Sequence, residues 1–345
     1  MFANVQYSAL ISGLIGYTKK DNGMKTILLT NKYDSGPYEI MKSVVPDDLE
    51  LIMLDEVTQS DLERKAPKAD YILASGRLNI NEAVLTKATK LKMIQRTGVG
   101  LNSLDFDAIN LRNITVYVNK GVNADSVAEH TIMLMLACLK KLPVISNNTK
   151  SGIWNKQAQG VLNRELGTQT VGVIGMGHIG QKVARLLRAF GATVLYYDNN
   201  RKVEVEENIG IRYVSLKELY TTSDVITLHC DLTNENKGLI NPFAIEKMKN
   251  GVVIINTARG QLVDEDALAV ALASGKVAFA GLDVFGVEPP AHNSALLSLE
   301  NVIATPHIAG VTFDSFYRMM RDAMRNIELF DMGRFEEIEE HRLVL

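Results

Sequence analysis

Apolar runs of strand length recur through the first third of the chain, separated by stretches that suit helices. The runs begin roughly twenty to twenty-five residues apart, a rhythm typical of alternating strands and helices. They are Ile27–Leu29, Leu51–Leu54, Tyr71–Leu73, Met93–Ile94 and Thr115–Val118. This pattern predicts βαβ units that build a parallel sheet.

A second series of apolar runs begins at Thr170 and continues to Ala304. Its later members are Thr193–Tyr197, Ile211–Val214, Val225–Leu228, Val252–Ile255, Phe279–Val284 and Val302–Ala304. These runs are almost continuously apolar, as expected of strands that are covered by helices on both faces. They predict a second parallel sheet.

Two helices are expected to frame the second series. Ser126 and Glu129 form the pattern of a capping box, which predicts a helix that starts near Ser126. The following residues, through Met133 and Met135, are apolar on nearly all sides, so this helix is expected to be buried. The stretch from Asp314 to Phe330 predicts a helix that Gly333 ends, and it is expected to pack against the first sheet.

Length and composition add limits to this picture. A chain of 345 residues, of which 46% are hydrophobic and 22% charged, fits two globular domains. The net charge of −3 gives no support for nucleic-acid binding. Cys138 and Cys230 form no CxxC pair, and no run reaches the length of a membrane span, which favours a reducing, cytoplasmic location. Residues 1–23 are expected to be an extension, and they do not resemble a signal peptide.

The most informative motif runs from an apolar strand directly into Gly175-Met176-Gly177-His178-Ile179-Gly180. In such a motif Gly175 allows the tight turn, Gly177 lets the backbone approach a pyrophosphate, and Gly180 lets helix and strand pack closely. Asp198 follows the next strand, 18 residues after Gly180, where a carboxylate accepts hydrogen bonds from ribose hydroxyls. The motif predicts a dinucleotide site that prefers NAD, although Arg201 and Lys202 leave a role in binding a 2′-phosphate open.

Arg259, Glu288 and His307 each follow the end of an apolar strand of the second series. Ligands of open parallel sheets bind beyond the carboxyl ends of the strands, so the three side chains are expected to face one crevice. Arginine binds a carboxylate bidentately, histidine exchanges a proton with a carbonyl or hydroxyl oxygen, and the acid orients the imidazole. This set suits reduction of a 2-keto acid, although each residue taken alone also fits an ordinary structural role.

Other histidines have less demanding interpretations. His178 is expected at the start of the helix near the phosphates, and His229 to pack near the cofactor. No set of residues has the spacing of metal ligands, so no metal is expected.

These motifs together resemble the NAD-dependent D-2-hydroxyacid dehydrogenase family, which includes D-3-phosphoglycerate dehydrogenase, D-lactate dehydrogenase and hydroxypyruvate reductase. The segments in the order of the family are Thr97 to Asn102, Gly175 to Gly180, Leu228 to Cys230, Asn256 to Gly260, Gly281 to Pro289 and Thr305 to Gly310. The resemblance implies that Arg259, Glu288 and His307 are catalytic. It also implies that Asp283 binds the nicotinamide carboxamide and that Val99 and Gly100 bind the substrate carboxylate. The full set of implied NAD contacts is Gly175, Gly177, His178, Ile179, Gly180, Asp198, His229, Thr257, Ala258, Asp283 and Gly310.

The resemblance further implies a Rossmann dinucleotide-binding domain inserted into a flavodoxin-like substrate domain. Residues 24–120 with 315–345 are expected to form the substrate domain, and residues 121–314 the cofactor domain. Family members are usually homodimers, so a homodimer is expected. The sequence ends at Leu345 without the C-terminal regulatory domain of some phosphoglycerate dehydrogenases, so serine feedback through it is not expected. Formate-oxidising relatives have glutamine where this chain has Glu288, which argues against formate as the substrate.

The sequence therefore predicts an enzyme that transfers a hydride between NAD(H) and C2 of a D-2-hydroxy acid or 2-keto acid. A second hypothesis is an NAD(H)-sensing binding protein, similar to a co-repressor, on the same fold. The identity of the acid stays open. Arg77, just after a predicted strand, is a candidate for binding a distal phosphate or carboxylate, and a surface loop arginine is an equal alternative.

Overall fold

The computed structural model describes residues 24–98, 100–101 and 103–343. The extension 1–23, Val99 and Asn102 therefore lie outside the described residues. The described residues divide into two compact units, the first made of residues up to 118 together with those from 324 onward, and the second of residues 119–323. The sequence predicted domain boundaries between residues 120 and 121 and between residues 314 and 315. The second boundary between the compact units lies instead between residues 323 and 324, inside the last helix.

The first unit is built on a five-stranded sheet in the order β2-β1-β3-β4-β5, with every neighbouring pair parallel. The strands are β1 Lys25–Leu29, β2 Leu49–Ile52, β3 Tyr71–Ala74, β4 Met93–Arg96 and β5 Thr115–Val118, and the helices are α1 Ser35–Lys42, α2 Gln59–Lys65, α3 Glu82–Lys87 and α4 Phe106–Leu111. This strand order is that of flavodoxin-like folds. The predicted strand Leu51–Leu54 was wrong by two residues, because Leu49 to Ile52 pair with β1.

The second unit contains a seven-stranded parallel sheet in the order β12-β11-β10-β9-β6-β7-β8. The strands are β6 Thr170–Ile174, β7 Thr193–Tyr197, β8 Arg212–Tyr213, β9 Val225–Leu228, β10 Val252–Asn256, β11 Val277–Leu282 and β12 Val302–Ala304. Its helices are α5 Ala124–Leu139, α6 Leu142–Lys150, α7 Lys156–Gly160, α8 His178–Ala189, α9 Val203–Ile209, α10 Leu216–Thr222, α11 Pro242–Lys247 and α12 Glu265–Ala273. The order reverses beside β6, where Rossmann folds bind dinucleotides.

Helices cover both faces of this second sheet, as its apolar strands require. One core contains Leu134 and Leu187 from α5 and α8, and the other contains Leu219 and Leu268 from α10 and α12. All five residues of β10 are buried. The two predicted parallel-sheet domains are thereby confirmed.

Helix α5 differs from its prediction at two positions. It begins at Ala124, so Ser126 lies inside its first turn, and the Ser126 hydroxyl donates to the Ala309 carbonyl at 2.7 Å. The predicted capping box was wrong, because this distant carbonyl takes the hydroxyl that would have capped the helix. Met135 is buried as expected, whereas Met133 is half-exposed.

The last helix, α13 Phe313–Asp331, matches its prediction closely. Gly333 follows it with a φ of +73°, the left-handed conformation in which glycine commonly ends helices. Within the first unit, Phe330 packs edge-on against Tyr71 and Tyr117. None of the helices in the described part of the chain is long and apolar enough to cross a membrane.

Candidate active site and cofactor site

The glycine loop between β6 and α8 has the geometry of a dinucleotide site. Gly175 has a φ of +96°, and a methyl group there would lie 2.5 Å from the Cys230 nitrogen, so only glycine fits. A methyl group on Gly180 would collide with the Gly175 carbonyl oxygen. Gly177, in contrast, faces open space, with nothing within 4 Å of the position of a Cβ atom. The loop is thus closed on its inner side and open where a ligand would approach.

Helix α8 begins at His178, and Gly177 precedes it as a cap residue without a side chain. The cap residue therefore supplies no side-chain hydrogen bond to the first N–H groups of this helix. These N–H groups and the positive end of the helix dipole suit a pyrophosphate. His178 is exposed at the first position of the helix, as predicted, and Ile179 is half-buried beside it.

Asp198 lies against the same loop. Its Oδ2 accepts from the Met176 N–H at 2.7 Å, and its Oδ1 accepts from the Asn200 N–H at 3.0 Å. These bonds fix the carboxylate at the edge of the loop, while each oxygen keeps a lone pair for a further donor. The arrangement fits the ribose hydroxyls of a dinucleotide.

His229 follows β9 directly behind the loop. Its Nε2 is 2.8 Å from the Thr227 hydroxyl, and its enclosed Nδ1 has no hydrogen-bond partner within the described residues. Burial lowers the pKa of His229 to about 3, so the ring is neutral across the physiological range. This residue is thus suited to packing and hydrogen bonding, and not to acid–base catalysis. The glycine loop, Asp198 and this unpartnered nitrogen together fit an NAD molecule.

The three predicted catalytic residues follow three adjacent strands. Asn256 at the end of β10 pairs with Leu282 at the end of β11, which in turn pairs with Ala304 at the end of β12. Because the strands are parallel, the segments after them leave the same edge of the sheet. Arg259 follows β10, Glu288 follows β11 and His307 follows β12.

Glu288 and His307 are in direct contact. The Nδ1 atom of His307 lies 2.7 Å from Oε2 of Glu288, and Oε1 of Glu288 accepts from the Phe285 N–H at 3.1 Å. The carboxylate is therefore held on one side by backbone and holds the imidazole on the other. His307 is half-exposed, so its Nε2 remains the nitrogen that can exchange a proton with a ligand.

Asp283 organises the loop that carries His307. Its side chain is 1% exposed, and Oδ1 accepts from the Thr305 hydroxyl at 2.5 Å and from the Ile308 N–H at 2.9 Å. Oδ2 accepts from the Ala309 N–H, also at 2.9 Å. His307 itself has a φ of +55°, an uncommon conformation that this network maintains.

Arg259 is exposed and is not hydrogen-bonded to Glu288 or His307 within the described residues. Its Nη1 donates to the neighbouring Ala258 carbonyl at 2.6 Å. Asn256 shapes this turn, since its amide donates to the Arg259 carbonyl and accepts from the Ala258 N–H. Thr257, predicted to contact the cofactor, is buried and lies 2.9 Å from the hydroxyl of Thr131.

Gly310, another predicted cofactor contact, packs closely against α5. A methyl group there would lie 2.6 Å from the side-chain nitrogen of Asn123. The Gly310 carbonyl accepts from the Ser315 hydroxyl at 2.8 Å. This glycine therefore fixes the end of the loop that carries His307.

The predicted substrate residues of the first unit follow β3 and β4. Val99 lies outside the described residues, Gly100 is half-buried, and Arg77 is exposed beyond the end of β3. Beneath this region, Arg96 is 5% exposed and donates to the Ala74 and Gly100 carbonyls. Its hydrogen-bond partners are neutral carbonyl and hydroxyl oxygens, and no acid among the described residues pairs with its charge. Burial lowers the pKa of Arg96.

Sequence reasoning missed several residues of these sites. Arg96 directly precedes the glycine-rich loop and could have been noticed as a charge at the end of an apolar strand. Asn256 likewise ends β10 and was visible. The Nε2 atom of His130 lies 3.0 Å from the hydroxyl of Thr305, which in turn donates to Asp283. His130 and Thr305 are 175 residues apart in the sequence, so no local pattern indicates this contact.

Comparisons with known proteins agree with this geometry. Residues 132–309 match the family model for the D-isomer specific 2-hydroxyacid dehydrogenase, NAD binding domain. The chain is 42% identical to a D-3-phosphoglycerate dehydrogenase of Archaeoglobus fulgidus, over 76% of this chain and 50% of that protein. It is 40% identical to a hydroxypyruvate reductase of Thermotoga maritima, over 76% of this chain and 87% of that protein.

A solved structure shows the same architecture. The D-lactate dehydrogenase of Aquifex aeolicus, complexed with NAD and lactic acid, superposes with a TM-score of 0.79 at 33% identity, covering 93% of this chain and 99% of that one. The chain spans about half the length of the D-3-phosphoglycerate dehydrogenases that it matches. The family match and the glycine loop identify NAD as the cofactor. The chain belongs to the NAD-dependent D-2-hydroxyacid dehydrogenase family.

Proposed function

We propose that this chain reduces a 2-keto acid to the D-2-hydroxy acid, and catalyses the reverse oxidation, with Arg259, Glu288 and His307 as the working side chains. The observation that carries the proposal is the contact of 2.7 Å between His307 Nδ1 and Glu288 Oε2, with Glu288 fixed by the Phe285 N–H. NAD-linked oxidoreduction of 2-hydroxy acids is the chemistry of the family.

Each residue has one task in this proposal. NADH, when bound, supplies the hydride that forms the new C–H bond at C2 of the keto acid. Arg259 binds the substrate carboxylate with its guanidinium, which is exposed. His307 donates its Nε2 proton to the carbonyl oxygen, which becomes the hydroxyl group. Glu288 holds Nδ1 of His307 and so keeps the imidazole oriented.

The cofactor contacts belong to the same proposal. The residues are Gly175, Gly177, His178, Ile179 and Gly180 at the pyrophosphate, Asp198 at the adenosine ribose, and His229, Thr257, Ala258, Asp283 and Gly310 towards the nicotinamide. Among these, Asp283 has a second task that its hydrogen bonds support, since it fixes the loop that carries His307.

The direct test is replacement of His307 by Gln. We expect kcat for keto-acid reduction to fall by roughly 10²–10⁴-fold, the usual effect of losing a positioned general acid. The Kd for NADH should stay close to that of the parent, because the proposed dinucleotide contacts lie elsewhere. His292→Gln is a matched control, since His292 is an exposed histidine of the same unit. Full turnover by His307→Gln would refute the assignment.

The second hypothesis, an NAD(H)-sensing binding protein, is not favoured, because the relatives described above are named as dehydrogenases and reductases. Initial rates with NADH on pyruvate, hydroxypyruvate, glyoxylate, branched keto acids and phosphohydroxypyruvate separate the two. An enzyme turns over at least one of these acids, whereas a pure sensor binds NADH and turns over none. The same panel ranks the substrates.

A further inference from the structure

Arg201 follows three residues after Asp198, whose carboxylate is proposed to bind the adenosine ribose. Tyr213 connects the two, because its hydroxyl donates to the Asp198 carbonyl at 3.3 Å while the Arg201 guanidinium carbon lies 5.9 Å from the centre of its ring. An arginine at this place would ordinarily pair with a 2′-phosphate, because a guanidinium binds phosphate oxygens bidentately.

The guanidinium of Arg201 is already engaged by an acid of α9. Its Nε donates to Oε1 of Glu206 at 2.8 Å, and one terminal nitrogen donates to Oε2 at 3.0 Å. The carboxylate thus occupies two donors on one edge of the guanidinium. The pair has no net charge, so Arg201 adds little attraction for a phosphate that approaches Asp198.

Glu206 is the fixed member of the pair. Its side chain is 12% exposed, against 59% for Arg201, and Oε1 also accepts from the Tyr196 hydroxyl at 2.9 Å. Tyr196 is fully buried in β7. The Arg201 guanidinium is the largest cause that holds the pKa of Glu206 below its usual value, so the acid is ionised throughout the neutral range.

We infer that Glu206 is a positioning residue for cofactor choice, which holds Arg201 in a neutral pair and so prevents it from binding the 2′-phosphate of NADP. Asp198 excludes the phosphate directly, and Glu206 neutralises the guanidinium of Arg201, which would otherwise compensate. This inference rests on the proposed placement of the adenosine ribose at Asp198.

The test is calorimetric binding of NADH, NADPH and 2′,5′-ADP, which reports affinity without turnover. In Glu206→Gln we expect the Kd for NADPH to fall about two- to fivefold relative to that for NADH, the range expected when a surface ion pair is released. The Kd for 2′,5′-ADP should fall in parallel. NADH should remain the preferred cofactor, because Asp198 is still present.

Three further variants make the result specific. Glu207→Gln changes the net charge equally from an exposed neighbouring position of the same helix and should leave the NADPH-to-NADH ratio as in the parent. The double variant Glu206→Gln with Arg201→Ala should return the ratio to the parental value, because the released guanidinium is absent. Glu206→Asp is one methylene shorter, cannot hold both nitrogens and should give a smaller gain.

The possible outcomes are distinguishable. If Glu206→Gln and Glu206→Asp bind NADH but leave the ratio unchanged, or if Glu207→Gln shifts it equally, the inference is overturned. Asp198→Ala tests the placement on which it rests. If that variant neither weakens NADH binding nor narrows the preference, the ribose placement fails whatever Glu206 does.

Discussion

Among single residues, some side chains are placed to contact a ligand, and others hold those side chains in position. His307 is half-exposed, whereas Asp283, which fixes its loop with three hydrogen bonds, is 1% exposed. A buried carboxylate that accepts several donors is costly to remove, because the donors are then left unsatisfied. The uncommon backbone conformation of His307 is therefore maintained by a residue that does not need to touch the substrate.

Arg77 carries a prediction about substrate choice. It follows Gly76, whose φ of +87° and close approach to Arg96 fix the turn after β3. If Arg77 binds a second anionic group, Arg77→Ala should raise KM for phosphohydroxypyruvate by roughly tenfold, the effect of losing a charge-assisted hydrogen bond. KM for pyruvate should change little. Steady-state kinetics on both substrates checks this.

The control for that measurement is Lys90→Ala, which removes an exposed positive charge from the same unit. An equal rise of KM for both substrates in Arg77→Ala would assign the residue to folding or to general electrostatics. A rise for phosphohydroxypyruvate in both variants would indicate long-range attraction only.

At the scale of secondary-structure elements, helix α13 is tied to the first sheet by Asp331. This carboxylate accepts from Lys25 of β1 and from the Tyr71 hydroxyl of β3. Burial alone would raise the pKa of Asp331, but these hydrogen bonds outweigh burial and hold it below its usual value. Burial and Asp331 also raise the pKa of Tyr71, which therefore remains a donor.

Asp331→Asn should lower the free energy of unfolding by about 1–3 kcal/mol at pH 7, the cost of losing a buried charge-assisted hydrogen bond. A carboxyl whose pKa is lowered by folding adds stability above its unfolded pKa, and this stability is lost as the pH falls through the folded pKa. The difference in the free energy of unfolding between parent and variant should therefore become smaller below about pH 4. Urea unfolding at a series of pH values measures it.

Asp322→Asn is the matched control on the same helix, since Asp322 is paired with its exposed neighbour Arg321. Exposed pairs of this kind contribute about 0–1 kcal/mol. A difference for Asp331→Asn that is constant from pH 7 to pH 3 would contradict the electrostatic explanation.

At the scale of the whole molecule, we propose a homodimer that buries exposed apolar residues of the second unit. Trp154 is 80% exposed and Val161 is 75% exposed, and Leu162 and Leu142 are exposed nearby in the sequence. Several exposed apolar side chains in one segment of a chain make that segment a candidate for an interface. Light scattering coupled to size exclusion should find a dimer for the parent and a monomer for Val161→Glu with Leu162→Glu.

Trp154 is the sole tryptophan of the chain, so its emission gives an independent measurement. It should shift to shorter wavelength as the parent is concentrated, and it should not shift in the double variant. Val270→Glu, a change at another exposed apolar residue of the same unit, should leave the dimer intact. If the parent protein is a monomer even at high concentration, the proposed homodimer is wrong.

The pattern of apolar residues was sufficient to predict the fold class and the order of the strands along the chain. Buried parallel strands must be apolar, and the turn that approaches a pyrophosphate needs glycines, so local patterns were sufficient for β6, Gly175 and α8. The three strand ends that carry Arg259, Glu288 and His307 were recognisable for the same reason, because parallel strands place their carboxyl ends at one edge.

Only the folded chain shows which side chains far apart in the sequence are in contact. Ser126 was assigned to a capping box from its neighbours, but its hydroxyl bonds to the Ala309 carbonyl, 183 residues away. The contacts of His130 with Thr305 and of Asp331 with Lys25 and Tyr71 also join parts of the chain that no short window contains together. A side-chain hydrogen bond depends on distance in space, and the sequence pattern reports only the distance along the chain.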